Sequence, residues 1–206
     1  MAANVNIRLA TDADLPELSQ VLGRAFADDP VMEFVISSHP VAPRAAILLG
    51  TITSLHISDR SVFVATDPTS GAILGAAVWG LPGHWRVPTT AYVRHARKLL
   101  KAVGLRGITK ISVLSAIERQ HPTEPHHYLA IIGTDPEHQG KGIGAALLAP
   151  VLDLCDEEGL PAYLESSKDS NVPYYRRFAF EVTTPFTLKG GPTLHFMWRD
   201  PEVPPS

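Results

Sequence analysis

Apolar residues recur along this chain with two different periods, and the changes of period divide it into elements. Alternation over residues 5–9 (VNIRL) predicts a short strand. Thr11 and Asp12 then offer side-chain oxygens for a helix start, with Asp14 in its first turn. Leu15, Leu18, Val21, Leu22, Ala25 and Phe26 follow at helical spacing, so residues 13–27 read as an amphipathic helix that AlaAspAspPro at 27–30 ends. A second helical pattern covers 43–57. Residues 61–66 (SVFVAT) and 72–80 (AILGAAVWG) are strand-like and joined by a DPTSG turn. A loop rich in proline, glycine and aromatics spans 81–91, a helix with a basic side spans 91–103, and a weaker helical pattern spans 107–122. Tyr128–Thr134 (YLAIIGT) has the composition of a buried strand, and a DPEHQG turn leads into a helix over Ile143–Glu158 closed by Gly159. Ala162–Glu165 reads as a strand and 171–178 as a short helix. Residues 180–188 and 193–199 read as a closing hairpin, and the final DPEVPPS as a disordered tail. Strands alternating with helices, with antiparallel pieces among them, predict a mixed α/β sheet.

Composition narrows this little. The 206 residues suffice for one well-packed core, and 45% hydrophobic with 19% charged residues is ordinary for a globular chain. A formal charge of -3 gives no reason to expect nucleic acid or a membrane surface as partner. No apolar run approaches the ~20 residues of a spanning helix, and the N-terminus lacks the pattern of a signal peptide. The lone Cys155 cannot form an internal disulfide, so a cytoplasmic location is expected.

The chemistry is concentrated in IIGTDPEHQGKGIGAALL, residues 131–148, which reads strand, turn, glycine-spaced loop, helix. Gly140, Gly142 and Gly144 let a ligand approach the backbone closely. They lie where the first amides of a long helix lack intrahelical partners and the helix dipole is positive, which suits phosphate or pyrophosphate. Lys141 could add direct charge. The segment has no Ser or Thr after Lys141, as a P-loop requires, and its G-x-G-x-G spacing is not the G-x-G-x-x-G of a dinucleotide turn. It fits the acyl-CoA pyrophosphate pattern [QR]-x-x-G-x-[GA], with Gln139, Gly142 and Gly144 at the defined positions.

The segment resembles the acetyl-CoA motif of the GNAT superfamily of N-acetyltransferases. Similarity to that superfamily continues through IRLATDADLP (7–16), AFADDP (25–30), EPHHYLAIIGTDPEHQGKGIGAALLAP (124–150) and LPAYLESSKDSNVPYYRRFAFEV (160–182), whereas 31–120 matches loosely. The resemblance implies one domain over residues 1–200 with a tail at 201–206. Its sheet would be single, mixed and mostly antiparallel, with a splayed central strand pair and helices on both faces. It further implies direct transfer of acetyl from acetyl-CoA to an amine, the acceptor expected to be a small molecule and the protein a monomer or homodimer. Protein lysine acetylation and non-catalytic acetyl-CoA sensing stand as alternatives.

By position, Ile132, Gly133 and Thr134 would pair with the pantetheine arm. Residues Gln139, Gly140, Lys141, Gly142, Ile143 and Gly144 would hold the pyrophosphate, and Asn171 would contact the cofactor. Tyr175 occupies the tyrosine of the family's Y-x-x-x-G-F signature and would protonate the departing thiolate; a phenol titrating near pH ~10 can donate to a thiol titrating near ~8.5. Ala179 replaces the usual glycine of that signature. It tolerates a left-handed turn poorly, so a slightly altered backbone is expected there. The base that deprotonates the amine is left open among Glu165, His127, His126 and ordered water. Glu165 also reads as a paired carboxylate at a strand end.

Other features are weaker. His121, His126 and His127 could suggest a metal, but no cysteine or HExxH helix accompanies them. Arg94, Arg97, Lys98, Lys101, Arg106 and Lys110 read as a solvated helix face, or as an attractor for the CoA 3′-phosphate. Trp79, Trp85, His84 and Arg86, together with residues 26–36, are expected to form the acceptor pocket or a hydrophobic plug. Asp29 could attract a cationic amine or could end a helix.

Overall fold

The computed structural model describes residues 3–36, 38–86 and 89–202. Local chemistry sets the first elements. After strand β1 (Asn6–Leu9), the Asp14 carboxylate accepts from the Thr11 N–H at 2.8 Å and its hydroxyl at 2.9 Å, and so opens helix α1 (Leu15–Ala25). The expected break at 27–30 is itself a helix start. Asp29 accepts from the Val31 and Met32 amides, both at 2.9 Å, and Pro30 leads the six-residue helix α2 (Pro30–Val35). Helix α3 (Val41–Ser54) and strands β2 (Val62–Thr66) and β3 (Ile73–Gly80) follow. The two helical stretches expected at 91–103 and 107–122 are both present within α4 (Thr89–Gln120), separated by non-helical backbone at Gly104 with φ 72° and ψ 173°. Then come β4 (His127–Thr134), α5 (Ile143–Glu158), β5 (Ala162–Ser166), α6 (Val172–Arg176), β6 (Glu181–Thr187) and β7 (Thr193–Arg199). Part of the expected tail, from residue 203, lies outside the described residues.

The seven strands form one sheet in the order β1-β2-β3-β4-β5-β7-β6. All pairs are antiparallel except β4 with β5, which are joined by a crossover through α5. That parallel pair holds register only from His127 to Leu129 against Ala162 to Leu164. Beyond it the two strands diverge, which is the expected splay. The closing hairpin turns back so that β7, not β6, lies against β5.

Helices cover both faces. Leu18, Val21 and Leu22 of α1 and Ala45 and Leu49 of α3 pack with Val64, Ala76, Val78 and Ile131 on one side. On the other, Leu147, Leu148, Val151 and Cys155 of α5 pack with Ala65, Ala77, Leu129 and Leu164. No helix among the described residues is long and apolar enough to cross a membrane.

Candidate active site

A β-bulge shapes the centre of the sheet. Val78 is paired with Ile131 and Trp79 with Leu129, so Ala130 is an extra residue in β4. Simple alternation would send 128 and 130 to one face and 131 to the other. The bulge keeps Ala130 and Ile131 together on the α1–α3 face and returns Ile132 to the α5 face. It falls where β4 parts from β5, so among the described residues the edge of β4 from Ala130 to Thr134 has no strand partner on that side. Ile132 and Thr134 are half-buried along this edge, and Gly133 packs against α1.

The next turn delivers the chain to the glycine loop. Asp135 caps it by accepting from the Glu137 N–H at 3.2 Å, and the Arg24 guanidinium holds the same carboxylate, with Nε at 2.9 Å. Gly140 and Gly142 have φ of 74° and 81°, a region that L side chains enter only with strain. No side chain among the described residues caps α5, and its first turn holds no acid. Its opening amides are therefore available to an anion. Gln139 Nε2 donates to the Thr134 carbonyl at 3.4 Å, and Lys141 Nζ donates to the Glu137 carbonyl at 3.1 Å. The loop thus presents backbone N–H groups first and the Lys141 charge second. The Tyr174 hydroxyl beside Gly144 is buried and has no hydrogen-bond partner among the described residues. These features fit the phosphates of an acyl-CoA, and Asn171, half-buried at the start of α6, borders the same side.

On the opposite side of the splay lies a cavity of about 280 Å³. Phe26, Met32, Trp85 and Tyr128 give it an aromatic and apolar wall, and Asp29, Glu118 and Glu165 contribute carboxylates. It unites segment 26–36 with the Trp85 loop. Trp79 does not join them: it faces the α5 core. His84 is exposed, and Arg86 lies over the Trp85 ring at 5.0 Å. Asp29 is buried, Glu118 is exposed, and between them stands the half-buried Glu165. Its Oε2 accepts from the Tyr128 hydroxyl at 2.6 Å, whereas Oε1 is buried with no hydrogen-bond partner among the described residues.

Tyr175 is buried on the α5 side, and burial pushes its titration well above the usual phenol range, with Tyr174 and Asp29 acting in the same direction. Its backbone is fixed by a helix end in which the Phe180 N–H donates to the Tyr175 carbonyl at 3.3 Å and the Ala179 N–H to that of Arg176 at 3.1 Å. Ala179 adopts φ 60°, so the altered backbone expected there does not occur: alanine is held in the left-handed turn. Asp29 is both the cap of α2 and a hydrogen-bond acceptor from Ser167, which ties α2 to the end of β5.

His127 is not brought to this cavity. It sits on the α5 face, before the bulge, and its Nε2 lies 2.9 Å from Glu158 at the far end of α5. The basic stretch of α4 is solvent-facing at Arg94, Arg97, Lys98 and Lys101, and Lys110 donates to the Phe34 carbonyl at 2.6 Å. No group of three or more potential metal ligands occurs among the described residues. Cys155 is buried, which pushes its thiol up to about 12 and leaves no thiolate nucleophile at neutral pH. Tyr128, Ser167 and Tyr174 have no motif of their own in the sequence; only the bulge and the splay give them their places.

A sheet opened at its centre, with an amide cradle on one side and an acid-lined aromatic cavity on the other, has the arrangement of an acyltransferase fold. Residues 55–180 match the model of the Acetyltransferase (GNAT) family, and the chain belongs to that family. An uncharacterized N-acetyltransferase of Schizosaccharomyces pombe is 47% identical over 79 residues. That match covers 37% of this chain and 32% of the yeast protein, so the chain matches about a third of that relative's length. Among solved structures, histone acetyltransferase HPA2 and related acetyltransferase from Corynebacterium glutamicum superposes with a TM-score of 0.69 at 27% identity, covering 98% of this chain and 99% of that one. Arylalkylamine N-acetyltransferase 2 from Aedes aegypti shares the fold at 17% identity, with a TM-score of 0.68 over 97% of this chain and 100% of its own. Polyamine N-acetyltransferase from Drosophila melanogaster does so at 16% identity, with a TM-score of 0.66 over 95% and 99%.

Proposed function

We propose that the protein moves the acetyl group of acetyl-CoA directly to the primary amine of a small, cationic acceptor. The observation that carries this reading is the Glu165 carboxylate in the wall of an aromatic cavity at the strand splay, whose buried Oε1 makes no hydrogen bond among the described residues. Acetyl-CoA supplies the thioester whose C–S bond breaks as the amine nitrogen bonds to the acetyl carbon. Ile132, Gly133 and Thr134 would hold the pantetheine arm, residues 139–144 the pyrophosphate through their amides, and Asn171 the adjoining part. Glu165 would take a proton from the acceptor, and the Tyr175 hydroxyl would give one to the leaving sulfur.

Several features support a small amine as acceptor. The carboxylates of Asp29, Glu118 and Glu165 attract a cation, and Phe26, Trp85 and Tyr128 offer ring faces to it or to its apolar body. The structural neighbours named for arylalkylamines and polyamines are in keeping with this chemistry. The passages at 7–16, 25–30, 124–150 and 160–182 also resemble puromycin N-acetyltransferase, which makes an aminonucleoside a candidate. A name that includes histone acetyltransferase belongs to the Corynebacterium neighbour, and it favours protein lysine as the second reading.

The test is thiol release from acetyl-CoA over arylalkylamines, polyamines, puromycin and a lysine-containing peptide. Release with a small amine, lost in Glu165→Gln, is the expected result. Release with the peptide alone would transfer the assignment to protein lysine. Tight acetyl-CoA binding with no release from any amine would leave a sensor.

A further inference from the structure

The hydrogen bonds around Glu165 fix the positions of the hydrogens on two neighbouring histidines. His126 Nδ1 lies 2.7 Å from the Glu124 carbonyl oxygen, which can only accept, so Nδ1 carries a hydrogen and donates. Burial pushes the His126 titration down, and adjacent His121 acts in the same direction, so His126 is neutral and its Nε2 presents a lone pair. His121 Nε2 lies 3.0 Å from that atom and must donate to it. The remaining His121 nitrogen, Nδ1, faces Glu165 Oε1 at 3.5 Å, with the two side chains only 2% and 7% exposed. Without a hydrogen between them, a lone pair and a carboxylate oxygen would oppose each other away from water. Oε2 already accepts from Tyr128 and Oε1 makes no hydrogen bond among the described residues, so a proton held between Oε1 and Nδ1 would satisfy both atoms.

We infer that His121 is a positioning residue that shares a single proton with Glu165, so that the pair, and not the carboxylate alone, takes the proton of the acceptor's ammonium group. This rests on the assignment of Glu165 proposed above. The pair gives its resting proton to solvent as pH rises. The emptied pair then accepts from the ammonium: an N–H bond breaks, its electrons stay on nitrogen, and the proton settles between Oε1 and Nδ1. A neutral amine is left.

The surroundings are consistent with one shared proton. Tyr128 from β4 donates to Glu165. Tyr163 from β5 is held well above the usual phenol range by burial first and by the charge of Glu165 second, and so stays neutral. β7 contributes apolar Leu194 and Phe196. Glu118 on α4 is exposed, and Asp29 and His56 line the same cavity. Trp85 stacks on the His121 ring with centroids 3.5 Å apart and planes at 26°, which holds the imidazole in register.

The test combines two readouts on the full chain. In nitrogen-15 NMR of the histidines from pH 5 to 9, His126 should stay neutral with hydrogen on Nδ1. His121 should show one titration that moves by about one pH unit or more in Glu165→Gln. In steady-state kinetics with the best amine, kcat/KM should rise through an inflection at the pH of that titration. His121→Asn should shift or abolish the inflection and lower kcat/KM by about 10- to 100-fold, with KM for acetyl-CoA unchanged. An unchanged pH profile in His121→Asn, or a His121 titration indifferent to Glu165→Gln, would overturn the inference. Were no amine acetylated, the functional reading would fall, while the response of His121 to Glu165→Gln would still uphold or sink the shared proton.

Discussion

The Tyr174 hydroxyl lies 2.5 Å from where a Cβ on Gly144 would stand, with the ring carbon Cζ at 3.4 Å. The family pattern admits glycine or alanine at the last position of the loop, but in this chain the tyrosine of α6 occupies the space an alanine would need. The hydroxyl has no partner among the described residues, and burial pushes its titration up to about 12, so it is a neutral donor facing the anion cradle. Gly144→Ala should therefore cost about 1–3 kcal/mol through overpacking, or roughly 2–12 °C in Tm, and raise KM for acetyl-CoA. Adding Tyr174→Phe should restore most of the Tm. Thermal melts of the single and double variants check this; equal losses in both would show that the conflict lies elsewhere.

Ala179 holds φ 60° at the end of α6 because two hydrogen bonds, to the Tyr175 and Arg176 carbonyls, and the contact of Phe180 with the Tyr175 ring over-determine the turn. An L side chain in that region costs about 1–2 kcal/mol. Ala179→Gly relieves it and should stabilise the protein by about 1 kcal/mol after the added freedom of the unfolded chain is counted, raising Tm by roughly 2–4 °C. Ala179→Val should lower Tm. A lower Tm for the glycine variant would contradict the strained reading.

Periodicity made most of this fold legible. The apolar spacing of α1 and the glycine run ahead of α5 each contain their own signal, and the sheet follows from them. Helix α2 escaped because its six residues are set by one cap, Asp29, whose letters read equally as a turn. Gly104 falls in the gap between the two expected helical stretches, and its non-helical backbone separates them. Within the site, the cradle was readable from local spacing. The face on which His127 lies was not, because strand pairing between Val78 and Ile131 creates the bulge, and no residue within β4 announces it. The same limit applies to His121: it stood out only as one of three histidines, and its partner Glu165 is distant in sequence.

Acid stability depends on a second, half-buried pair. Arg199, 4% exposed, donates to both Asp156 oxygens at 2.8 Å and to the Phe178 carbonyl at 3.1 Å, and so anchors β7 to α5. The guanidinium holds the Asp156 carboxyl below its ordinary range. A carboxyl lowered in the folded state adds stability that is complete above about pH 5. That stability is lost as pH falls through the unfolded value near 3.9 toward the folded one. Asp156→Asn should remove this acid-side slope and leave the Arg199 guanidinium with only Glu202 at 3.7 Å as an anion among the described residues, at a cost of about 1–2 kcal/mol at pH 7. Urea unfolding of both proteins at pH 7 and pH 3.5 measures it: the two curves should converge in acid, and a constant difference would rule the linkage out.

Tyr175 supplies the clearest separation of chemistry from binding. Its ring packs with Phe180 in the α5 core, so Tyr175→Phe keeps the packing and removes one oxygen. Burial raises its titration, which means the hydroxyl keeps its proton well beyond the pH at which an exposed phenol near ~10 would lose it. Two results follow if it protonates the departing sulfur. The variant should lose about 100-fold in kcat while acetyl-CoA affinity changes by less than about threefold. The native enzyme should show no fall in kcat at alkaline pH up to about 10, because the donor stays charged with its proton across that range. Stopped-flow or steady-state thiol release from pH 6 to 10, paired with calorimetric titration of acetyl-CoA, reads both quantities. A variant with native kcat would remove Tyr175 from the chemistry and leave it as a core aromatic of α6.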